Sequence, residues 1–266
     1  MVVKTSILRR KLRSLLVLAF EMIENNNNAK FAENGERFFV RELFKFLAKN
    51  AQAPFVMFDV GANVGNYSRM LLDQARQDGT QVEVHIFEPA IRCVNELRER
   101  FGDLANVQIV DNAISNKNGT AKIFFDQPGS ALASLYRRNL DQYGIEMNAS
   151  EEIRTVRLDD YVRHSRLRHI HFIKLDVEGH ESAALDGMGQ YLDRAFVDFV
   201  QFEYGGANLD SASSLMQLFA RFRAAGFRVA KVMPRGLEFR VYEAWMENFQ
   251  YANYVAVSES IADALG

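Results

Sequence analysis

Residues 58 to 65 read Phe-Asp-Val-Gly-Ala-Asn-Val-Gly, and the segments on either side of them have different periods. The apolar run from Phe55 to Asp59 fits a buried strand, and the amphipathic stretch from Tyr67 to Ala75 fits a helix, so Gly61 and Gly65 fall in the turn between them. Glycine there lets the backbone bend sharply and come close to a ligand, while the helix N-terminus offers unpaired N–H groups to a carboxylate or phosphate. The next apolar run, Val82 to Phe87, closes on Glu88. An acid at that strand end can accept hydrogen bonds from ribose hydroxyls, which predicts a ligand that carries a nucleoside.

Spacing narrows the nucleoside. A dinucleotide loop wants G-x-G-x-x-G, and Ala62 and Asn63 interrupt that pattern, so a pyrophosphate is disfavoured. Asp59 stands two residues before Gly61 and puts a carboxylate at the strand tip, where it could hold a cationic amine. S-adenosylmethionine combines such an amine with a ribose. The plainer alternative, an ordinary strand-turn-helix with a capping Asp or Asn, is weakened by Glu88-Pro89 at the right distance.

From Phe55 onward, strand and helix alternate: Phe55–Asp59, a helix to about Arg76, Val82–Phe87, a helix over Ile91–Phe101, then Val107–Val110. Strands at Ala121–Phe125 and Ile153–Leu158 flank a long polar loop containing Gly129-Ser130 and Gly144, a plausible substrate lid. Alternation resumes with His171–Leu175, a helix over Glu181–Leu192, Val197–Glu203, a helix over Ser213–Ala225, and Phe227–Met233. Two last strands, Glu238–Tyr242 and Tyr251–Val257, lack an intervening long helix and predict a terminal antiparallel hairpin. The expected fold is α/β: a Rossmann-like, doubly wound, seven-stranded sheet, mostly parallel with a C-terminal antiparallel hairpin, plus N-terminal helices.

Residues 1–50 are expected to form a helical cap on a catalytic domain spanning 51–266. Arg9, Arg10, Lys11 and Arg13 precede the apolar stretch Leu15 to Phe20, with Glu21 and Glu24 directly after it. The run is too short to span a bilayer and has no small-residue cleavage site. An amphipathic helix packed on the domain or on a partner chain is expected, and two copies could pair there; peripheral membrane contact is disfavoured. Phe39, Leu43, Phe46 and Leu47 mark a second helix over 35–49.

A net charge of −2 with both signs interspersed argues against nucleic acid as partner. The single Cys93 forms no internal disulfide and fits a reducing, cytoplasmic compartment, as a packed thiol and not a nucleophile. His169 and His171 lie two apart without a third ligand of obvious spacing, so no metal centre is expected. Arg154, Arg157, Arg163, Arg166 and Arg168 read as a solvated face or as a contact for an anionic acceptor.

The strand His171–Leu175 runs into Lys174-Leu175-Asp176-Val177-Glu178-Gly179-His180-Glu181. Ligands of open α/β sheets bind beyond the carboxyl ends of the strands, so Asp59, Glu88, Asp111-Asn112, Asp176 and Glu203 should converge on one rim. With Phe58 to Gly65, Phe87-Glu88-Pro89, Asn112-Ala113-Ile114-Ser115, Leu158-Asp159-Asp160, Lys174 to Glu181 and Asn253-Tyr254 in this order, the chain from about Phe55 to Val257 resembles the FkbM-type methyltransferases. These are a branch of the class I S-adenosylmethionine-dependent enzymes. The resemblance implies that the loop Gly61, Ala62, Asn63 to Gly65 holds the methionine part of the cofactor, that Glu88 beside Pro89 takes the ribose, and that Asn112 and Ala113 line the adenine pocket. His180 departs from the family, which has a small residue or Phe there.

Methyl transfer from a sulfonium needs an acceptor aligned with the methyl group and, for an alcohol, a group that takes its proton. Asp176 is the first candidate, with a second role in positioning the cofactor; Glu178, His180 and Glu203 are the neighbouring candidates. Helix capping or Arg pairing is the alternative for Glu178, and a solvated first-turn histidine for His180. Asp176, Glu178 and Glu203 could instead hold Mg²⁺, which the resemblance does not require. The expected acceptor is a hydroxyl of a sugar, glycan or related metabolite, with S-adenosylhomocysteine as product. Nitrogen methylation of a peptide or amide, and a non-catalytic nucleoside-binding protein, are the competing readings.

Overall fold

The computed structural model describes residues 6–265. After two N-terminal helices, α1 (Ile7–Glu24) and α2 (Glu36–Asn50), the chain runs β1 (Phe55–Val60), α3 (Asn66–Asp78), β2 (Val82–Phe87), α4 (Ile91–Phe101), β3 (Val107–Val110), β4 (Ala113–Ile114), β5 (Gly119–Phe125) and β6 (Ala149–Val156). It continues α5 (Leu158–His164), β7 (Ile170–Leu175), α6 (Glu181–Met188), β8 (Val197–Tyr204), α7 (Ala207–Asp210), α8 (Leu215–Ala224), β9 (Phe227–Met233), β10 (Gly236–Phe239), β11 (Ala252–Ser258) and α9 (Glu259–Leu265).

Eight strands form one open sheet in the order β10-β9-β11-β8-β7-β1-β2-β3. The pairs from β3 through β8 are parallel, as helical crossovers require, while β11 runs antiparallel to both of its neighbours. β7 is buried along its whole length, which matches its nearly continuous apolar sequence. Strand order reverses between β1 and β7, so a crevice opens there at their carboxyl ends.

The chain is thus a doubly wound, mostly parallel α/β fold, and the pairing of its last strands differs from expectation. The two final strands do not pair with each other: β11 inserts between β8 and β9, and β10 folds back on β9 as an eighth strand at the edge. The turn Pro234-Arg235 is too tight for anything but an adjacent antiparallel return, whereas residues 240–251 are long enough to carry β11 to the interior. Two helix assignments also shift. The strand expected through Leu158 stops at Val156, and α5 starts with Asp159 and Asp160 in a first turn that favours acids. Helix α6 ends at Met188, not Leu192, where Gly189 turns to φ +50°. Strands β4, β6 and β5 form a separate three-stranded sheet whose long connection, residues 126–148, lies over the crevice.

The two N-terminal helices behave differently. Phe39, Val40, Leu43, Phe44 and Leu47 of α2 join Met57, Leu71, Phe172 and Phe199 in one core cluster, so α2 is a layer of the sheet's own packing. Helix α1 buries only Glu24. Phe20 meets Trp245 edge-on, Glu24 pairs with Lys231 and Arg240, and the leucines face outward. The run Asn25 to Asn28 is structured: Asn25 donates to the carbonyls of Asn34 and Val232, and Asn26 and Asn27 bond Gln250 and Tyr251. Among the described residues no helix is long and apolar enough to cross a membrane.

Candidate active site

A cavity of about 310 Å³ occupies the crevice, within the usual range of small-molecule sites, about 300–1,000 Å³. Its floor is the carboxyl ends of β1, β2, β7 and β8. Its roof is the 126–148 loop, with Ala29 and Phe31 from the α1–α2 connection. Gly61, Asn63, Glu88, Pro89, Asn112, Ala113, Asp176, Glu178, His180 and Glu203 all line it, so the topology gathers most of the residues expected at one rim. Asp59, Ala62 and Gly65 do not line it. Asp111 turns away to pair with Arg98 and Arg154, and the other arginines of the expected basic stretch lie outside the cavity too.

At one end, the glycine loop is tied to β2. Gly61 and Ala62 donate their N–H groups to the Phe87 carbonyl, and Glu88 accepts from Asn63 N at 2.8 Å and from Ala90 N at 2.8 Å. Each carboxylate oxygen keeps a further lone pair for a hydroxyl donor. Burial pushes the Glu88 carboxyl up to about 7 despite those two N–H groups. Asn112, Ala113 and Ile114 continue the wall beside it. The glycines themselves answer to the protein: a Cβ on Gly61 would stand 1.8 Å from the Asp176 carbonyl, and one on Gly65 would strike Phe101 and Leu97. Both are also in left-handed backbone, φ +82° and +79°. Close approach of β1 to the β7 turn and of α3 to α4 therefore demands them. Asp59 is buried with its carboxylate accepting from Ser68, away from the cavity.

The other end is an acid cluster built around Lys174. This ammonium, fully enclosed on β7, lies 2.9 Å from Glu203 Oε1, 3.4 Å from Asp176 Oδ2 and 3.9 Å from Glu36 Oε1. It also donates to Asn253 and sits over the Tyr67 ring. Gln201 links Glu36, Tyr67 and Asn253, and the Tyr251 hydroxyl donates to Glu203 at 2.9 Å. Three carboxyls around one ammonium leave excess negative charge. Burial, then the charge of Glu203, raises Asp176 well above the usual carboxylate range, and the three acids hold Lys174 well above the usual amine range against the opposing effect of burial.

The roof is latched at several points. Asn63 Nδ2 reaches the carbonyls of Gly129 and Ser130, Ser134 donates to the Glu178 carbonyl at 2.7 Å, and Arg138 pairs with Glu178 and Asp210. Glu178 adopts φ +48°, a conformation that costs a non-glycine residue energy and turns its carboxylate toward Arg138. Burial raises this carboxyl to about 8, against the lowering effect of Arg138. His180 lies between Ser115 Oγ and the Tyr136 hydroxyl, each at 3.0 Å, and burial lowers it to about 4, so the ring is neutral and both nitrogens are engaged.

Sequence reading missed Glu36, Arg138, Tyr136 and Tyr251 as parts of this site, and none carries a local signal. Lys174 did carry one: a lysine in a strand that, His171 apart, is apolar. Two other groups lie apart from the cavity. Asp198 supplies the third group that His169 and His171 lacked in the sequence. However, His171 Nδ1 accepts the Val56 N–H at 3.0 Å, so the neutral ring carries its proton on Nε2, and His169 pairs with Asp198 at 3.0 Å. Cys93 is buried in α4, its thiol pushed up to about 12 by burial.

Comparison with known proteins adds a family. A sequence model of the methyltransferase FkbM domain matches residues 59–229. The chain is similar to 2-O-methyltransferase NoeI of Sinorhizobium fredii, 26% identical over 193 residues that cover 69% of this chain and 76% of that protein. It is also similar to the hexuronic acid methyltransferase AglP of Haloferax volcanii, 24% identical over 163 residues, which cover 61% of each. Among solved structures, methyltransferase FkbM from Methylobacillus flagellatus aligns at 15% identity and a TM-score of 0.49, over 82% of this chain and 48% of that one. Aeropyrum pernix fibrillarin, solved with natively bound S-adenosyl-L-methionine, aligns at 11% identity and a TM-score of 0.44, over 84% and 76%.

Proposed function

The chain belongs to the FkbM methyltransferase domain family, and from that premise we propose that it moves the methyl group of S-adenosylmethionine to a hydroxyl oxygen of a sugar or glycan. One observation carries the reading: a single cavity holds a ribose-competent acid, Glu88, at one end and the Asp176–Glu203 pair at the other. One curated relative is named for a 2-O position and the other for a hexuronic acid, and together these names support oxygen methylation of a sugar.

The lining fits the cofactor's parts. Glu88 offers lone pairs to ribose hydroxyls, the apolar wall of Ala113 and Ile114 beside Asn112 suits an adenine, and the acid cluster suits a cation. When bound, the cofactor supplies a methyl group already activated on a sulfonium. The protein's work is then to align the acceptor oxygen and take its proton. Asp176 is the best-placed base: it lines the cavity, and the Lys174 ammonium beside it favours the ionised carboxylate that can take a proton. Lys174, itself paired with Glu203, holds it in place. His180 orients Tyr136 and the roof, a positioning role. Lys174 already supplies a cation between Asp176 and Glu203, which speaks for metal-free chemistry over the Mg²⁺ alternative.

Calorimetry with S-adenosylmethionine and NAD, followed by release of S-adenosylhomocysteine with a panel of neutral sugars, uronic acids and peptide amides, tests this. Binding of the methyl donor alone and methylation of a sugar oxygen are expected. NAD binding, or label on a peptide nitrogen, would sink the proposal.

A further inference from the structure

Helix α1 presents an apolar face with nothing among the described residues against it. At 100° per residue, Leu8, Leu12, Leu15, Leu16, Met22 and Ile23 fall on one half of its circumference. Phe20 and Glu24, which contact the domain through Trp245 and Lys231, fall on the other, together with the exposed Ile7, Val17 and Leu18. The helix is therefore anchored at its C-terminal turns, with the leucine-rich half turned outward; Leu8, Met22 and Ile23 are 70–76% exposed. So large an exposed apolar surface marks a docking site.

Width and charge identify the occupant. The apolar half includes positions flanking the Leu8, Leu12, Leu15, Met22 row, so it is broader than the seam one partner helix covers. A lipid surface covers the whole half. Arg9, Arg10, Lys11 and Arg13 carry four positive charges, and the sequence from Ser6 to Phe20 contains no acid. In a helix pair from two copies these cations would meet either each other or the outward leucines. The acids Glu21 and Glu24 are already engaged by Gln250, Lys231 and Arg240 on the domain side. Trp245, half-exposed beside Phe20, suits the headgroup level.

We infer that α1 lies in the surface of a membrane containing anionic lipids, its leucine face in the acyl boundary and its arginines among the headgroups. This reverses the expectation drawn from the shortness of the apolar run, because an interfacial helix needs a broad face and not a long span. Asn27, bonded to Tyr251 at the cavity wall, places the site's mouth close to the docked helix.

Flotation of the full chain with phosphatidylcholine vesicles, with and without phosphatidylglycerol, tests the inference. Binding only to the phosphatidylglycerol vesicles is expected, with loss of binding in Leu12→Asp/Leu15→Asp and roughly fivefold weakening for each of Arg9, Arg10 and Lys11 changed to Ala. These side chains are exposed, and unchanged thermal unfolding of the variants shows that folding is intact. Flotation with neither vesicle, or equally with both, overturns the inference. So does a stable dimer in sedimentation equilibrium that Leu12→Asp splits into monomers.

Discussion

Lys174 and Glu203, on neighbouring parallel strands, meet at 2.9 Å under the cavity, where the ammonium also faces Asp176 and Glu36. The lysine is what allows three carboxyls to share that space. Removing it leaves uncompensated buried acids. Lys174→Met should therefore cost about 3–5 kcal/mol of stability by denaturant unfolding; a loss under about 1 kcal/mol would show that the cluster is solvated and the ammonium dispensable.

Asp176→Asn preserves shape but removes proton acceptance. Turnover should fall by roughly 10²–10⁴ while cofactor affinity, measured by calorimetry, changes little. His180→Ala should keep most of the rate, since its nitrogens serve Ser115 and Tyr136. The opposite ranking would move the base to the imidazole. Full activity in excess EDTA is expected; loss restored by Mg²⁺ would reinstate the metal reading.

Glu88→Ala should weaken S-adenosylmethionine binding by about 1.5–3 kcal/mol, the value of a hydrogen bond to a charged acceptor. Because Glu88 ionises at about 7, affinity in the parent protein should strengthen as pH rises through that value, and Glu88→Gln should flatten the profile. A parent affinity independent of pH across this window would remove Glu88 from ribose recognition.

Glu181 is buried with Oε1 accepting from Gly179 N and Oε2 without a partner. Burial raises it from 4.5 to about 7. The unfolded chain loses this proton near 4.5, whereas the folded chain holds it to about 7, so Glu181 favours folding at low pH and that stability drains away as pH climbs between those values. Glu181→Gln has no proton to lose. Its stability relative to the parent should improve over that window by at most about 3 kcal/mol. A constant difference from pH 4.5 to above 7, followed by chemical denaturation, would contradict the buried-acid assignment.

What the sequence determined by itself was local. The apolar run at Phe55, the glycines at 61 and 65, the helical period that follows and the acid at Glu88 define a strand-loop-helix unit through steric and periodic constraints acting within one stretch of chain. Repetition of that pattern leads to a parallel sheet, and the carboxyl-end rule then directs attention to Asp176 and Glu203. Only the tertiary structure decided which polar groups touch. Glu36, Lys174, Gln201 and Asn253 form one network although they are dispersed along the chain, since strand order and not sequence distance brings them together. The same holds for the insertion of β11 between β8 and β9, and for the removal of Asp59 from the cavity by a bond to Ser68. For α1, amphipathic spacing was legible, but which side would meet the domain depended on the docking of Phe20 and Glu24, contacts to residues far away in the chain. Pairings of this kind depend on how whole elements pack, and local residue patterns carry no record of them.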